Sequence, residues 1–243
     1  MVSKSQKKLI QSLHQKKYRK QHGLFVAEGK KTIKELLDAG MILSMLYTTE
    51  MVFEVEDQQK IVLVTPQELK QISFLTTPQL ALAVFEIPQT SQPAMDGLVL
   101  ALDDVRDPGN LGTIIRLCDW FGIATLICSN ATVDCYNPKV VQATMGSITR
   151  VQIHYVDLEP FLKDNEAQFP IYGTFMNGST IYQESLSQKG ILVMGNEANG
   201  ISPAIEALVH KRLTIPRFGV NQETESLNVA TATAIVLNEF RRG

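Results

Sequence analysis

From Leu98 onward the chain alternates short, continuous apolar runs with stretches of helical period, and that alternation leaves few folds open. The runs at 98–103, 124–128, 151–155, 171–175, 191–194 and 212–215 read as strands. Helices are expected near 111–121, 138–147, 158–166, 202–210 and 226–241. The run at 191–194 shows no polar alternation, so both of its faces must be covered, as in a parallel sheet sheathed by helices. In such sheets ligands sit outside the carboxyl ends of the strands.

The preceding part, 1–88, reads as a small α/β domain of its own. It opens on a Lys-rich helix with an apolar stripe of Leu9, Ile10 and Leu13, punctuated by Gly23. Strand 24–27, helix 30–39, strands 41–47 and 61–64, helix 66–72 and strand 80–85 follow. Two prolines, Pro88 and Pro93, among small and polar residues over 87–97 mark a linker, set at 89–97, which leaves 98–243 as the second domain.

Charge is divided unevenly between the two parts. Residues 1–34 hold ten bases against the single acid Glu28, a net +9, while the remainder holds 13 bases against 24 acids, a net −11. A basic head on an acidic body points to a polyanionic partner, with a solvated basic helix as the plainer alternative. No stretch reaches the roughly 18 apolar residues that span a bilayer, and the basic N-terminus is unlike a secretory signal, so a cytoplasmic protein is expected. Three cysteines are too few for a disulfide framework, and none sits in a metal-ligand spacing. Cys118 and Cys128 are expected to be buried, Cys135 lies in a polar loop open to exposure, and no metal is expected.

Three junctions at strand ends carry unusual chemistry. The first, after strand 98–103, is a turn-rich loop opening a helix, with Asn110 a candidate N-cap and Arg116 one turn along an otherwise apolar face. A guanidinium there must pair, with Asp103, Asp104 or Asp119, or serve a ligand. The second sets Gly195 and Gly200 around Asn196, Glu197 and Asn199. Its spacing fails the phosphate-loop pattern at Ile201-Ser202, and no Gly-x-Gly-x-x-Gly supports a dinucleotide enzyme. A tight connection is the alternative to a site. The third runs from Ile215-Pro216 through a polar loop to a helix that is apolar nearly all round from Leu227 on, which suits a homodimer interface or burial within one chain.

Asn-x-Gly-x-x-x-Arg at 110–116, Gly-x-Glu-x-x-Gly at 195–200, and Ile-Pro at 215–216 with Ser-Leu-Asn-Val-Ala at 226–230 occur in one order. Together they resemble the motifs of the SpoU (TrmH-like) group of SPOUT RNA methyltransferases. The head, with Phe25-Val-Ala-Glu-Gly-Lys-Lys, resembles that group's substrate-binding domain, so the likeness covers the whole chain. The loop 217–225 is longer than is usual in the family.

The resemblance implies an α/β fold with a parallel-sheet SPOUT domain tied in a trefoil knot, S-adenosylmethionine as cofactor, and a homodimer that completes each active site. Carried onto matching positions, the catalytic set is Asn110, Arg116, Glu197, Ser226 and Asn228, and the cofactor contacts are Thr174, Gly195, Gly200, Ile215, Pro216 and Leu227. The reaction implied is transfer of a methyl group to a ribose 2′-hydroxyl of structured RNA, ribosomal RNA being favoured over transfer RNA. Lys7, Lys8, Lys16, Lys17, Arg19, Lys20 and Lys30 are then candidate RNA contacts. An arginine stays protonated in nearly all settings. Arg116 is therefore expected to orient a phosphate or to stabilise alkoxide charge, while Ser226 and Asn228 place it and the ribose, and Glu197 fixes its loop or partners Arg116. A catalytically silent RNA-binding or ribosome-assembly factor on the same scaffold is the alternative, disfavoured by retention of that set.

Overall fold

The helix expected at the N-terminus is broken in two, and a buried cation explains the break. In the computed structural model, which describes residues 2–89, 91–219 and 226–242, α1 (Lys4–Ser12) and α2 (Lys16–His22) flank a turn at Leu13–Gln15. Arg19, on α2, folds back so that its Nη1 donates to the carbonyls of Leu13 (2.8 Å) and His14 (2.9 Å), which α1 leaves without helical partners. The same guanidinium pairs with Asp134 at 2.5 Å and is only 2% exposed. Arg19 is therefore a structural anchor, and its expected place among the RNA contacts is corrected: a side chain sealed by two carbonyls and a carboxylate cannot meet a phosphate.

The first part continues with β1 (Leu24–Glu28), α3 (Lys30–Asp38), β2 (Leu43–Thr48), β3 (Ile61–Leu63), α4 (Pro66–Ile72) and β4 (Ala81–Glu86). After it come β5 (Leu98–Leu102), α5 (Pro108–Trp120), β6 (Thr125–Ser129), α6 (Pro138–Thr144), β7 (Gln152–Val156) and α7 (Leu158–Asn165). The chain ends with β8 (Ile171–Thr180), β9 (Gly190–Met194), α8 (Pro203–Glu206), β10 (Lys211–Thr214) and α9 (Val229–Arg241).

These elements fall into two units, one of residues up to 89 with 134–149, the other of 90–133 with 150–243. The first is a four-stranded sheet in the order β1-β4-β2-β3, antiparallel except for the β2–β3 pair. Its core gathers Ile10, Leu13, Val26, Tyr47, Leu69 and Leu82. Residues 134–149, counted by sequence with the C-terminal domain, join this unit because Asp134 meets Arg19 and the Tyr136 ring lies 4.7 Å from that of Phe25. Cys135 is consequently buried at 3% exposure, against the expectation of an open loop.

The second unit is a six-stranded sheet, order β10-β8-β9-β5-β6-β7, with every neighbouring pair parallel. All residues of β5, β6 and β9 are buried, as their unbroken apolar runs require. Three boundaries differ from expectation. α5 begins at Pro108 with Asp107 as its cap, accepting from Asn110 N–H at 2.8 Å; Asp followed by Pro at the first helical position displaces Asn110 from that role and frees its side chain. α8 is a single turn, because His210 N–H is taken by Ile171 C=O and leads the chain into β10. β8 runs to Thr180, and its register with β10 jumps from Gly173 to Ser179, so 174–178 bow out of the ladder. No described helix is long and apolar enough to cross a membrane.

On β7, His154 is buried with Nε2 unpartnered among the described residues, and burial lowers its pKa from 6.5. The unfolded chain takes up a proton there as pH falls through about 6.5, while the folded chain resists. Stability should therefore decline from pH 7.5 to 5.5 more steeply in the wild type than in His154→Leu. Urea unfolding midpoints at the two pH values check this, and equal slopes would contradict it.

Candidate active site

The order β10-β8-β9-β5-β6-β7 places β5 and β9 side by side, although the chain leaves β5 toward one edge and comes back to β9 from the other. Loops from their carboxyl ends therefore diverge at a topological switch point, where open α/β sheets bind ligands. The two loops are stitched together: Asp103 N–H donates to Met194 C=O (2.9 Å), Asn196 Nδ2 to Asp104 C=O (2.6 Å), and Ser202 N–H to Asp103 Oδ2 (2.7 Å).

The glycine-bearing segment after β9 closes on itself. Asn196 and Gly200 exchange both backbone hydrogen bonds, at 2.9 and 3.0 Å, and the Asn196 side-chain oxygen accepts from Ala198 and Asn199 N–H. A Cβ on Gly195 would lie 2.2 Å from the backbone carbon of Gly200 and 2.3 Å from Ile201 N. Only glycine admits that approach. The turn exposes Glu197, which accepts from Asn110 Nδ2 at 2.9 Å and lies near the N–H groups of Asp107 (3.4 Å) and Arg106 (3.5 Å).

Asn228 brings in the third segment. Its Oδ1 caps α9, accepting from the N–H groups of Ala230 (3.0 Å) and Thr231 (3.2 Å), so its Nδ2 is left to donate, and does so to Asn110 Oδ1 at 2.8 Å. Asn110, its oxygen occupied, must in turn donate to Glu197. Helix N-terminus, Asn228, Asn110 and Glu197 thus form one directional chain ending on a carboxylate.

Beside this chain lies a cavity of about 880 Å³. Thr174, Gly195, Gly200, Ile215, Pro216 and Leu227, the six expected cofactor contacts, all line it, as do Glu197 and Ser226. Asn110 and Asn228 stand behind Glu197 and are not part of the lining. Arg217 and Gly219 of the lengthened loop contribute to the wall; 220–225 lie outside the described residues. Glu206, Asn177 and Met194 also line the cavity and were missed in the sequence. The bowing of β8 at 174–178 brings Asn177 there, and no local pattern announces that irregularity.

Arg116 differs from expectation. It is exposed on α5, makes no hydrogen bond or ion pair among the described residues, and does not line the cavity. Six residues past Asn110, it sits roughly 9 Å along the helix and about 120° around it. Its charge therefore carries no burial cost, and of the two expected alternatives the pair with Asp103, Asp104 or Asp119 is not formed. Trp120, on the next turn of the same face, is 84% exposed. Of the basic residues, Lys8, Lys16, Lys17, Lys20 and Lys30 are exposed, and Lys7 is half-buried with its Nζ donating to Gln71 Oε1 at 3.2 Å. Burial pushes the Cys118 thiol up, which leaves it a core residue and no nucleophile.

A ligand cavity walled by the bowed stretch of β8, the turn after β9 and the segments around 215–219 and 226–227 defines this unit as an α/β enzyme domain with a small-molecule site beside a fixed carboxylate. The sequence matches the SpoU rRNA methylase family over residues 97–238 and the MRM3-like substrate-binding domain over 4–83, and the chain belongs to that methylase family. It is 30% identical over 234 residues to the 23S rRNA (guanosine(2553)-2′-O)-methyltransferase RlmP of Bacillus subtilis (strain 168), covering 94% of this chain and 93% of that one. Among solved structures, a TrmH-family protein from Porphyromonas gingivalis superposes with a TM-score of 0.91 at 39% identity, covering 100% of both chains. An rRNA methyltransferase from Sinorhizobium meliloti, solved with AdoMet bound, gives 0.85 at 30% identity, covering 100% of this chain and 97% of that one.

Gly195→Ala should destabilise the protein by about 1–3 kcal/mol through backbone overpacking. A urea midpoint unchanged from wild type would show that the turn can yield.

Proposed function

We propose that this protein transfers a methyl group from S-adenosylmethionine to a ribose 2′-hydroxyl of structured RNA. The observation that carries the reading is the directional chain ending on Glu197 at the wall of the 880 Å³ cavity, because it joins all three motif segments at one ligand site. The cavity suits the cofactor. Its wall of Ile215, Pro216, Leu227 and glycine backbone gives a close apolar cradle, and the Glu197 carboxylate faces a ligand that carries a sulfonium; Glu206, also on the wall, is paired with Arg212. When bound, the cofactor supplies an electrophilic methyl group for in-line displacement by the ribose oxygen.

What the chain's own residues contribute is alignment and charge. The turn 195–200 and the segment 215–216 hold the cofactor. Asn228 and Asn110 fix Glu197, which holds the motif loops in register; within its own chain Glu197 bonds Asn110 and not Arg116. Ser226, on the cavity wall, positions the ribose. Arg116 orients the target phosphate or stabilises the alkoxide, and its exposed place outside its own chain's cavity supports a homodimer in which a second copy completes the site. The exposed Trp120 on the same helix face suits that interface. Trefoil threading of the cofactor loops and a cytoplasmic location belong to the same proposal.

The N-terminal domain, about residues 1–88 before a linker at 89–97, grips RNA through the exposed lysines near phosphates. Ribosomal RNA is favoured because the B. subtilis relative carries 23S rRNA in its name. The test is transfer of labelled methyl from S-adenosylmethionine to RNA from cells lacking the protein. Wild type should label it and Arg116→Ala should lose at least about a hundredfold in rate, as loss of a transition-state charge partner implies. Undiminished labelling by that variant would remove Arg116 from the reaction, and no labelling by wild type would leave an RNA-binding factor.

A further inference from the structure

A second cavity, of about 250 Å³, lies wholly within the first unit, between β1, the loop after α4, and α6. Val26, Phe74 and Ala143 form its apolar walls, with Glu28, Gln142 and Lys139 as its polar members. It is smaller than the roughly 300–1,000 Å³ typical of drug-sized ligands, and so suits one ring system better than a nucleotide.

Glu28 is what makes it a built site. It is 5% exposed, yet it belongs to the cavity wall. One carboxylate oxygen accepts from Phe74 N–H at 2.7 Å and the other from the Ser73 hydroxyl. Each oxygen can accept again, so two acceptor positions remain side by side. Burial raises its pKa, while Ser73 and Phe74 pull it back. A ligand offering two parallel N–H groups would stabilise the charged form further. Among RNA bases only guanine presents two adjacent donors, N1–H and N2–H, on its Watson–Crick edge. Phe74 offers apolar contact, and the exposed Lys139 can reach a carbonyl or phosphate.

The cavity also adjoins the basic head. Lys7 bonds Gln71, two residues before Ser73, and His14 meets the Phe74 ring edge-on at 5.3 Å. An RNA strand tracking the α1 lysines would thus arrive at its rim. We propose that this cavity is a second recognition site that takes an unpaired guanine of the RNA substrate, other than the nucleotide being methylated, through the Glu28 carboxylate. The inference rests on the RNA reading above and assigns to the head a sequence preference that lysine–phosphate contacts alone do not provide.

The test uses full-length protein and short single-stranded RNAs identical except for guanosine, inosine or adenosine at one position; inosine lacks only the 2-amino group. Fluorescence anisotropy at fixed salt should show guanosine preferred over both by about tenfold. The preference should vanish in Glu28→Gln and also in Ala143→Phe, which fills the cavity from α6 and leaves the Glu28 bonds untouched. Equal binding of all three RNAs by wild type would overturn the pocket, whether or not Glu28→Gln folds. So would a preference that survives Ala143→Phe. Salt-sensitive binding of all three RNAs with no preference would sink only the pocket, whereas no RNA binding at all would sink the RNA reading with it.

Discussion

The first turn of α9 presents backbone N–H groups with no helical partners, and the structure of the site follows from how they are satisfied. Asn228 supplies the acceptor at 3.0 and 3.2 Å, which commits its amide nitrogen outward to Asn110, and Asn110 passes the same polarity to Glu197. Residues 110, 197 and 228 are remote in sequence and on different elements, yet each bond dictates the orientation of the next. A carboxylate at the end of this chain is matched to it; a neutral donor at position 197 would face the Asn110 amide with nothing to accept. Close backbone approach at Gly195, where a Cβ would come within 2.2 Å of Gly200, gives the carboxylate a rigid platform.

Much of the fold was legible because burial on both faces of a parallel sheet leaves an unmistakable pattern. β5 and β9 appear at nearly the expected boundaries, as does α4, whose Thr65 and Glu68 form a reciprocal cap. The six positions expected to contact the cofactor all line the cavity, five of them from within the motifs and Thr174 from β8. Other features depend on tertiary partners. Nothing local says that Arg19 will turn inward, since its partner Asp134 lies 115 residues away. Nothing local says that 174–178 will leave the ladder. Arg116 was misjudged for a related reason: an apolar helical neighbourhood suggested burial, but α5 is covered on one side only and Arg116 occupies the other.

The two units use charge differently. In the first, Arg19 is committed to a buried pair with Asp134, while most of the lysines of the head stand at the surface. In the second, Glu197 and Glu206 line the cavity, Glu206 paired with Arg212, while Arg116, the arginine expected in catalysis, is exposed and outside that lining.

The central claim is that Asn228, Asn110 and Glu197 act as one connected unit that organises the methyl-transfer site. A double-mutant cycle on Asn110→Ala and Asn228→Ala, read in kcat/KM for methyl transfer to RNA, measures that connection directly. The account predicts a coupling of about 1 kcal/mol or more, so that the double variant loses little beyond the worse single one. Losses that simply add would mean that the two amides serve separate roles, and would contradict it.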